Sequence, residues 1–171
     1  MTALRTALAV VFDEAEPVVE EFRRRFDPAV DRRIPAHVTI VFPFAPVDVL
    51  DAAAVRELYA AVPSFAFELA RIERFPEHVW LAPEPQDRFV DLTSRTVERF
   101  PEYLPYGGAF AEVVPHLTIA SGETVDEAEA AARRELGPHL PIPVRTTEVT
   151  LLEEQPDDTW APRTAFALGG A

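Results

Sequence analysis

The sequence predicts an α+β fold of two pseudo-symmetric lobes, with antiparallel sheets lining a central cleft and helices outside. A four-residue pattern occurs twice, as His37-Val38-Thr39-Ile40 and His116-Leu117-Thr118-Ile119, each copy just after a proline-containing stretch. In an extended strand residues i and i+2 share a face, so each copy sets an imidazole beside a hydroxyl on one side and only aliphatic groups on the other. Such a strand buries its aliphatic face and offers His and Thr to a cleft. The order of elements, β-α-β-α-β-β-α-β-α-β-β, runs nearly the same course twice, which implies two similar halves about a pseudo-two-fold axis. A length of 171 residues, 48% of them apolar and 26% charged, suits a soluble globular chain with one core, so one domain over 1–171 is expected.

Each element has a local reason. Leu4 to Phe12 is rich in Leu, Val and Ala and ends at Asp13, as a mostly buried first strand would. Pro17 suits the first turn of a helix from Glu16 to Phe26, with Val18, Phe22 and Phe26 on one face and Pro28 closing it. Arg23, Arg24 and Arg25 complement the dipole in its last turn and are expected to form a solvated helix end. The strand Ala36 to Phe44 carries the first pattern, and Asp48 then caps a helix through Val62. Phe65 to Ile72 and His78 to Ala82 read as a hairpin, followed by a helix capped by Asp87 that buries Phe89, Thr93, Val97 and Phe100. Gly107-Gly108 marks a turn before the strand Ala111 to Ala120, which carries the second pattern. Thr124 and Glu127 form a capping-box signature for an Ala-rich helix ending at Gly137. Val144 to Glu153 and Thr164 to Leu168 are the last strands.

Composition removes several classes of chemistry. The chain has no cysteine, so it has no disulfide framework, thiolate zinc site or cysteine nucleophile. All 16 basic residues are arginine, which removes Schiff-base chemistry and the lysine of a phosphate-binding loop. A net charge of -13 repels a long polyanion, since nonspecific nucleic-acid binding rests on many basic contacts to phosphate. A small phosphate ester held locally remains compatible. The apolar run Ala7 to Phe12 is too short for a signal-peptide core, and no stretch suggests a membrane span, so a cytoplasmic location is expected.

The paired H-h-T-h strands resemble the 2H phosphoesterase superfamily, which includes the bacterial 2'-5' RNA ligase-like proteins and cyclic nucleotide phosphodiesterases. His37-Val38-Thr39-Ile40-Val41-Phe42-Pro43-Phe44 is similar to the first family motif and Val114-Pro115-His116-Leu117-Thr118-Ile119-Ala120 to the second. Val79-Trp80-Leu81 resembles the strand between them, and Val149 to Glu153 and Arg163 to Leu168 fall where the family has its last pair. The resemblance covers nearly the whole chain. One departure is Ser121, where many relatives carry a basic residue. By template counting a given His is followed by apolar-hydroxyl-apolar roughly one time in fifty, so two of four histidines doing so is a poor coincidence.

The pair has its own chemical logic. Of two facing histidines one can be neutral and the other protonated at the same pH, so one takes a proton from the nucleophile while the other gives one to the leaving oxygen. Threonine hydroxyls on the same face donate to the phosphate oxygens where charge grows. His37, Thr39, His116 and Thr118 are therefore the expected catalytic residues, and Arg5, Phe44, Trp80 and Tyr106 the candidates to line the cleft by cation contact or base stacking. The resemblance implies a 2',3'-cyclic phosphate or 2'-5' linked substrate opened to a 2'-phosphate without metal or other cofactor. The alternatives are a noncatalytic nucleotide-binding module, or 2'-5' RNA ligation by reversal of the same chemistry. A zinc site of His37, His116 and a carboxylate competes, but no H-E-x-x-H or ligand-spaced carboxylate lies beside either motif. His78 and His139 are expected to be exposed structural histidines, and Arg163 a charged strand edge. The expected partner is a small nucleotide or oligonucleotide phosphate, with no long nucleic acid and no membrane, the chain acting as a monomer.

Overall fold

The computed structural model describes residues 3–13 and 15–170, so residues 1, 2, 14 and 171 of the expected 1–171 domain lie outside the described residues. The elements are β1 (Thr6–Val11), α1 (Glu16–Phe26), β2 (His37–Val41), α2 (Ala52–Ala60), β3 (Phe65–Phe75), β4 (His78–Glu84), α3 (Asp87–Arg99), β5 (Leu117–Ser121), α4 (Val125–Glu135), β6 (Ile142–Thr146), β7 (Glu148–Glu154) and β8 (Trp160–Ala167). They form two antiparallel sheets, ordered β2-β1-β7-β8 and β5-β4-β3-β6. This is the expected α+β architecture, and both His-x-Thr motifs fall at edge strands. No helix among the described residues is long and apolar enough to cross a membrane.

The sheets do not follow the halves of the chain. The single strand expected over Val144 to Glu153 is two strands in different sheets: β6 pairs with β3, and after Thr147 β7 pairs with β1. No Gly or Pro marks that crossover, and β-branched residues run through it, so local pattern reads it as continuous. The final pair β7 and β8 thus completes the sheet that β1 and β2 begin.

Helix termini also differ from expectation in detail. Asp51, rather than Asp48, caps α2, its Oδ1 accepting from the Ala54 N–H at 3.0 Å. Asp87 is the first residue of α3 rather than its cap, and the buried face is Phe89, Leu92 and Thr96, while Thr93 donates to the Ile40 carbonyl at 3.0 Å. Thr124 precedes α4 without a side-chain capping bond, and Leu136, rather than Gly137, is the C-cap. On α1 Val19 is buried and Val18 exposed, rotating the predicted stripe by one residue.

One continuous core runs between the sheets. It joins Leu8, Val38 and Ile40 of the first to Phe67, Leu81, Leu117 and Ile119 of the second. Phe65, Phe67 and Phe89 meet edge to face there, with Phe67 and Phe89 centroids 4.9 Å apart. The helices interlock the lobes: α1, which joins β1 to β2, contacts β5 and α4, whereas α3, which joins β4 to β5, contacts β2 and α2. Each motif strand is therefore braced by the helix preceding the other.

Candidate active site

Alternation within each motif fixes its orientation. Val38, Ile40, Leu117 and Ile119 are buried in the core, and His37, Thr39, His116 and Thr118 are half-buried on the opposite face. Burying one such aliphatic side chain is worth about 1.5–3 kcal/mol. A one-residue slip would turn all four outward, so the core sets the register that presents the imidazoles. Edge strands β2 and β5 touch one another, which brings the motifs together across the cleft.

The two histidines are held in the same way. His37 Nδ1–H donates to the Pro35 carbonyl at 2.8 Å and His116 Nδ1–H to the Val114 carbonyl at 2.7 Å, in each case two residues upstream. That bond selects the tautomer whose Nε2 carries the lone pair, and neither Nε2 hydrogen-bonds within the described residues. Burial pushes both imidazoles below the ordinary 6.5, only partly offset by the carbonyl bonds. Positive charge adds to the depression, from Arg23 and His116 at His37 and from His78 at His116. His37 thus lies close enough to His116 to feel its charge.

The surroundings of the two rings differ. Opposite Thr39 and His37 the neighbouring strand puts Ala9 and Val11, whereas opposite Thr118 it puts Trp80. His116 lies edge-on to Phe75 at 5.1 Å and to Trp80 at 5.8 Å. A cavity of about 660 Å³ opens beside His116, lined by Phe75, His78, Tyr106, Phe110 and Glu112 among others. At the other ring Arg23 is 2% exposed, its Nε donating to Asp27 at 3.1 Å and its terminal nitrogen to the Ile34 carbonyl at 2.7 Å. These bonds fix the loop that ends at Pro35 and His37. Arg23 is thus no solvated helix end, although Arg24 and Arg25 are exposed.

A model of the 2'-5' RNA ligase superfamily matches residues 11–158, which spans both motifs and both lobes. The chain belongs to the 2'-5' RNA ligase superfamily, one of the 2H phosphoesterases. Solved structures from this superfamily share the fold. E. coli LigT complexed with NADP+ superposes with a TM-score of 0.63 at 18% identity, covering 99% of each chain. The same protein complexed with 3'-AMP gives 0.63 at 18% identity, over 98% of this chain and 99% of that one. TT0787 of Thermus thermophilus gives 0.61 at 19% identity, over 97% and 98% of the two chains. No curated protein matches the sequence.

For a 2'-5' RNA ligase superfamily member, the other expected cleft residues divide. Tyr106 lies beside Thr39: burial raises the pKa of its hydroxyl, and the Thr39 side chain offsets part of that rise. Its φ of 52° begins a left-handed turn continued by Gly107 and Gly108, and its N–H donates to the Phe42 carbonyl, so the turn crosses from one lobe to the other. Trp80 backs His116 and is 7% exposed. Phe44 does not line the cleft: it is 3% exposed and packs against Phe100 and Tyr103 at 5.5 and 5.2 Å. A β-bulge on β2, opposite Leu8 and Ala9, lets Ile40 and Val41 both enter the core, so Phe42 joins Ala7, Ala9 and Trp160 on the cleft face, while Phe44, beyond the end of β2, turns into the core. Arg5 lies at the far end of β1 from Val11, the partner of His37, about 20 Å away along a strand. Its guanidinium is engaged by both Glu154 oxygens at 2.9 and 2.6 Å, over the Phe42 and Trp160 rings.

Sequence reasoning missed Arg23, Phe75, His78 and Glu112. His78 is not a detached surface histidine: it lines the cavity and its Nδ1 bonds Ser121 Oγ at 2.8 Å, across the β4–β5 pairing. Only the Arg23–Asp27 pair had a local signal, the i,i+4 spacing of opposite charges on one helix. Among the described residues no three His, Asp or Glu side chains converge in a metal-binding arrangement.

Proposed function

We propose that the protein is a metal-independent phosphodiesterase that opens a 2',3'-cyclic phosphate, or cleaves a 2'-5' linked small nucleotide, with His37 and His116 as the acid–base pair. The observation that carries this reading is the matched anchoring of both imidazoles by an upstream carbonyl, which leaves two Nε2 atoms on adjoining edge strands for proton transfer. One unprotonated Nε2 takes the proton of the attacking water as its oxygen bonds to phosphorus. In the cyclic phosphate the bond from phosphorus to the 3' oxygen breaks, in a 2'-5' linkage the bond to the 5' oxygen, and the other ring, protonated, gives its Nε2 proton to that leaving oxygen. One ring has gained a proton and the other has lost one, so the net charge of the pair is unchanged and exchange with solvent resets which ring is protonated. Thr39 and Thr118 donate hydroxyl hydrogens to the non-bridging oxygens. Tyr106 positions Thr39, and Trp80 buttresses His116.

The nucleotides in the LigT structures support a substrate of that size. The test is turnover of 2',3'-cyclic nucleotides in EDTA. Activity should persist in EDTA and fall at least about 10²-fold in His37→Ala and in His116→Ala, with nucleotide binding retained. Binding without turnover on any cyclic or 2'-5' linked substrate would point to a noncatalytic module instead.

A further inference from the structure

The cavity beside His116 has a character of its own. Its walls are aromatic and aliphatic: Phe75 stands edge-on to His116, and Tyr106 meets Phe110 edge to face at 5.6 Å. Phe110 is 63% exposed, an unusual cost for a large apolar ring that no other part of the described protein covers. A volume of about 660 Å³ is in the range of small-molecule sites. On the opposite half of the cleft the aromatic rings, Phe42 and Trp160, meet edge to face and are already covered by the Arg5 guanidinium.

The polar lining is equally selective. Among the described residues no arginine lines the cavity, although the chain has 16. Its charged members are Glu77 and Glu112, and the Glu112 carboxylate makes no hydrogen bond or ion pair among the described residues. Some acids elsewhere are met by arginine, as Glu154 is by Arg5 and Arg32, and Glu129 by Arg74 and Arg133, but no arginine among the described residues is offered to Glu112. An aromatic slot with a free acceptor and no cation suits a flat, uncharged ring that presents N–H donors, and disfavours a further phosphate.

We infer that this cavity receives the base of the nucleotide whose phosphate lies between the histidines, and that Glu112 selects guanine. The inference rests on the phosphodiesterase reading for the place of the phosphate. Guanine alone among the common bases sets two N–H donors, N1 and the 2-amino group, side by side, matching the two oxygens of a carboxylate. Adenine and cytosine pair one amino donor with a ring-nitrogen acceptor that a carboxylate repels, and uracil flanks its single N–H with two carbonyls. Phe75 and Phe110 supply stacking that any base can use, so they give affinity while Glu112 gives choice.

The experiment compares kcat/KM for the four nucleoside 2',3'-cyclic monophosphates, with glycerol 1,2-cyclic phosphate as a base-free probe of the chemistry. The guanosine ester should exceed the uridine ester by about tenfold, and Glu112→Gln should collapse that ratio toward one. Phe110→Ala should weaken all four nucleotides together. Equal rates for the four bases, alongside turnover of the base-free ester, would overturn the guanine assignment and leave the phosphodiesterase reading intact. Equilibrium binding of 2'-GMP and 2'-UMP separates the remaining case. If no cyclic ester is turned over, a preference for 2'-GMP that Glu112→Gln abolishes sustains the base site without the catalysis, and its absence overturns the base site too.

Discussion

Replacing Asp27 by alanine tests the buried support under the His37 half of the site. The side chains of Arg23 and Asp27 are 2% and 3% exposed, and they meet at 3.1 Å. Asp27 Oδ1 also accepts from the Ala29 N–H at 3.0 Å, and Arg23 holds the Ile34 carbonyl just ahead of Pro35. Asp27→Ala leaves a buried guanidinium short of its aspartate and strips the Ala29 N–H of its acceptor. Breaking a buried pair from one side costs about 3–5 kcal/mol, whereas an exposed pair is worth about 0–1. With a urea slope of about 2 kcal/mol/M, the unfolding midpoint should fall by about 1.5–2.5 M. Glu20→Ala, which breaks the exposed pair with Arg24 on the same helix, should move it by less than about 0.5 M. Arg23→Met combined with Asp27→Ala, which removes both charges of this pair, should recover part of the loss. A drop for Asp27→Ala no larger than that for Glu20→Ala would refute the argument that burial makes this pair structural.

Both motif histidines titrate below 6.5 when folded, so between the folded and unfolded values the unfolded chain binds more protons. Stability should therefore be complete above about pH 6.5 and decline as pH falls; His37→Gln with His116→Gln should flatten that part of a urea-midpoint profile, and an unchanged slope would contradict it. For the same reason the optimum of kcat/KM, which reports the free enzyme, should lie on the acid side of 6.5, while the optimum of kcat moves up once a phosphate anion sits beside the rings. An optimum of kcat/KM above about 7.5 would be inconsistent with this environment. Gly169→Ala should lower stability by about 1–3 kcal/mol in a thermal or urea melt, because its Cβ would stand 2.6 Å from the Ala60 carbonyl oxygen where the chain end bridges to Pro63.

The motifs and their orientation were legible because period-two alternation is a local property. Val38 and Ile40, or Leu117 and Ile119, can be buried only if His and Thr face the other way. The start and end of α1 were legible for a similar reason, with Pro17 and Pro28 acting on their own backbone. The caps were less so: Asp48 and Asp51 are equally good local caps, and the packing of the α2 face decided between them.

By itself, then, the sequence determined two amphipathic His-x-Thr strands, an α+β succession of elements and an acidic, lysine-free chain suited to a small ligand. Tertiary structure decided which strands share a sheet, since the switch after Thr147 depends on pairing partners far apart in the chain, from Leu69 with Ile142 to Thr6 with Glu153, rather than on any turn residue. It decided that Phe42 faces the cleft, because a bulge on β2 shifts the alternation by one place, and that Phe44, beyond the end of β2, turns into the core. It also brought His78, Phe75 and Glu112 around His116. Those residues come from a hairpin and a loop far apart in the chain, and nothing in their local sequence carries the distance between them.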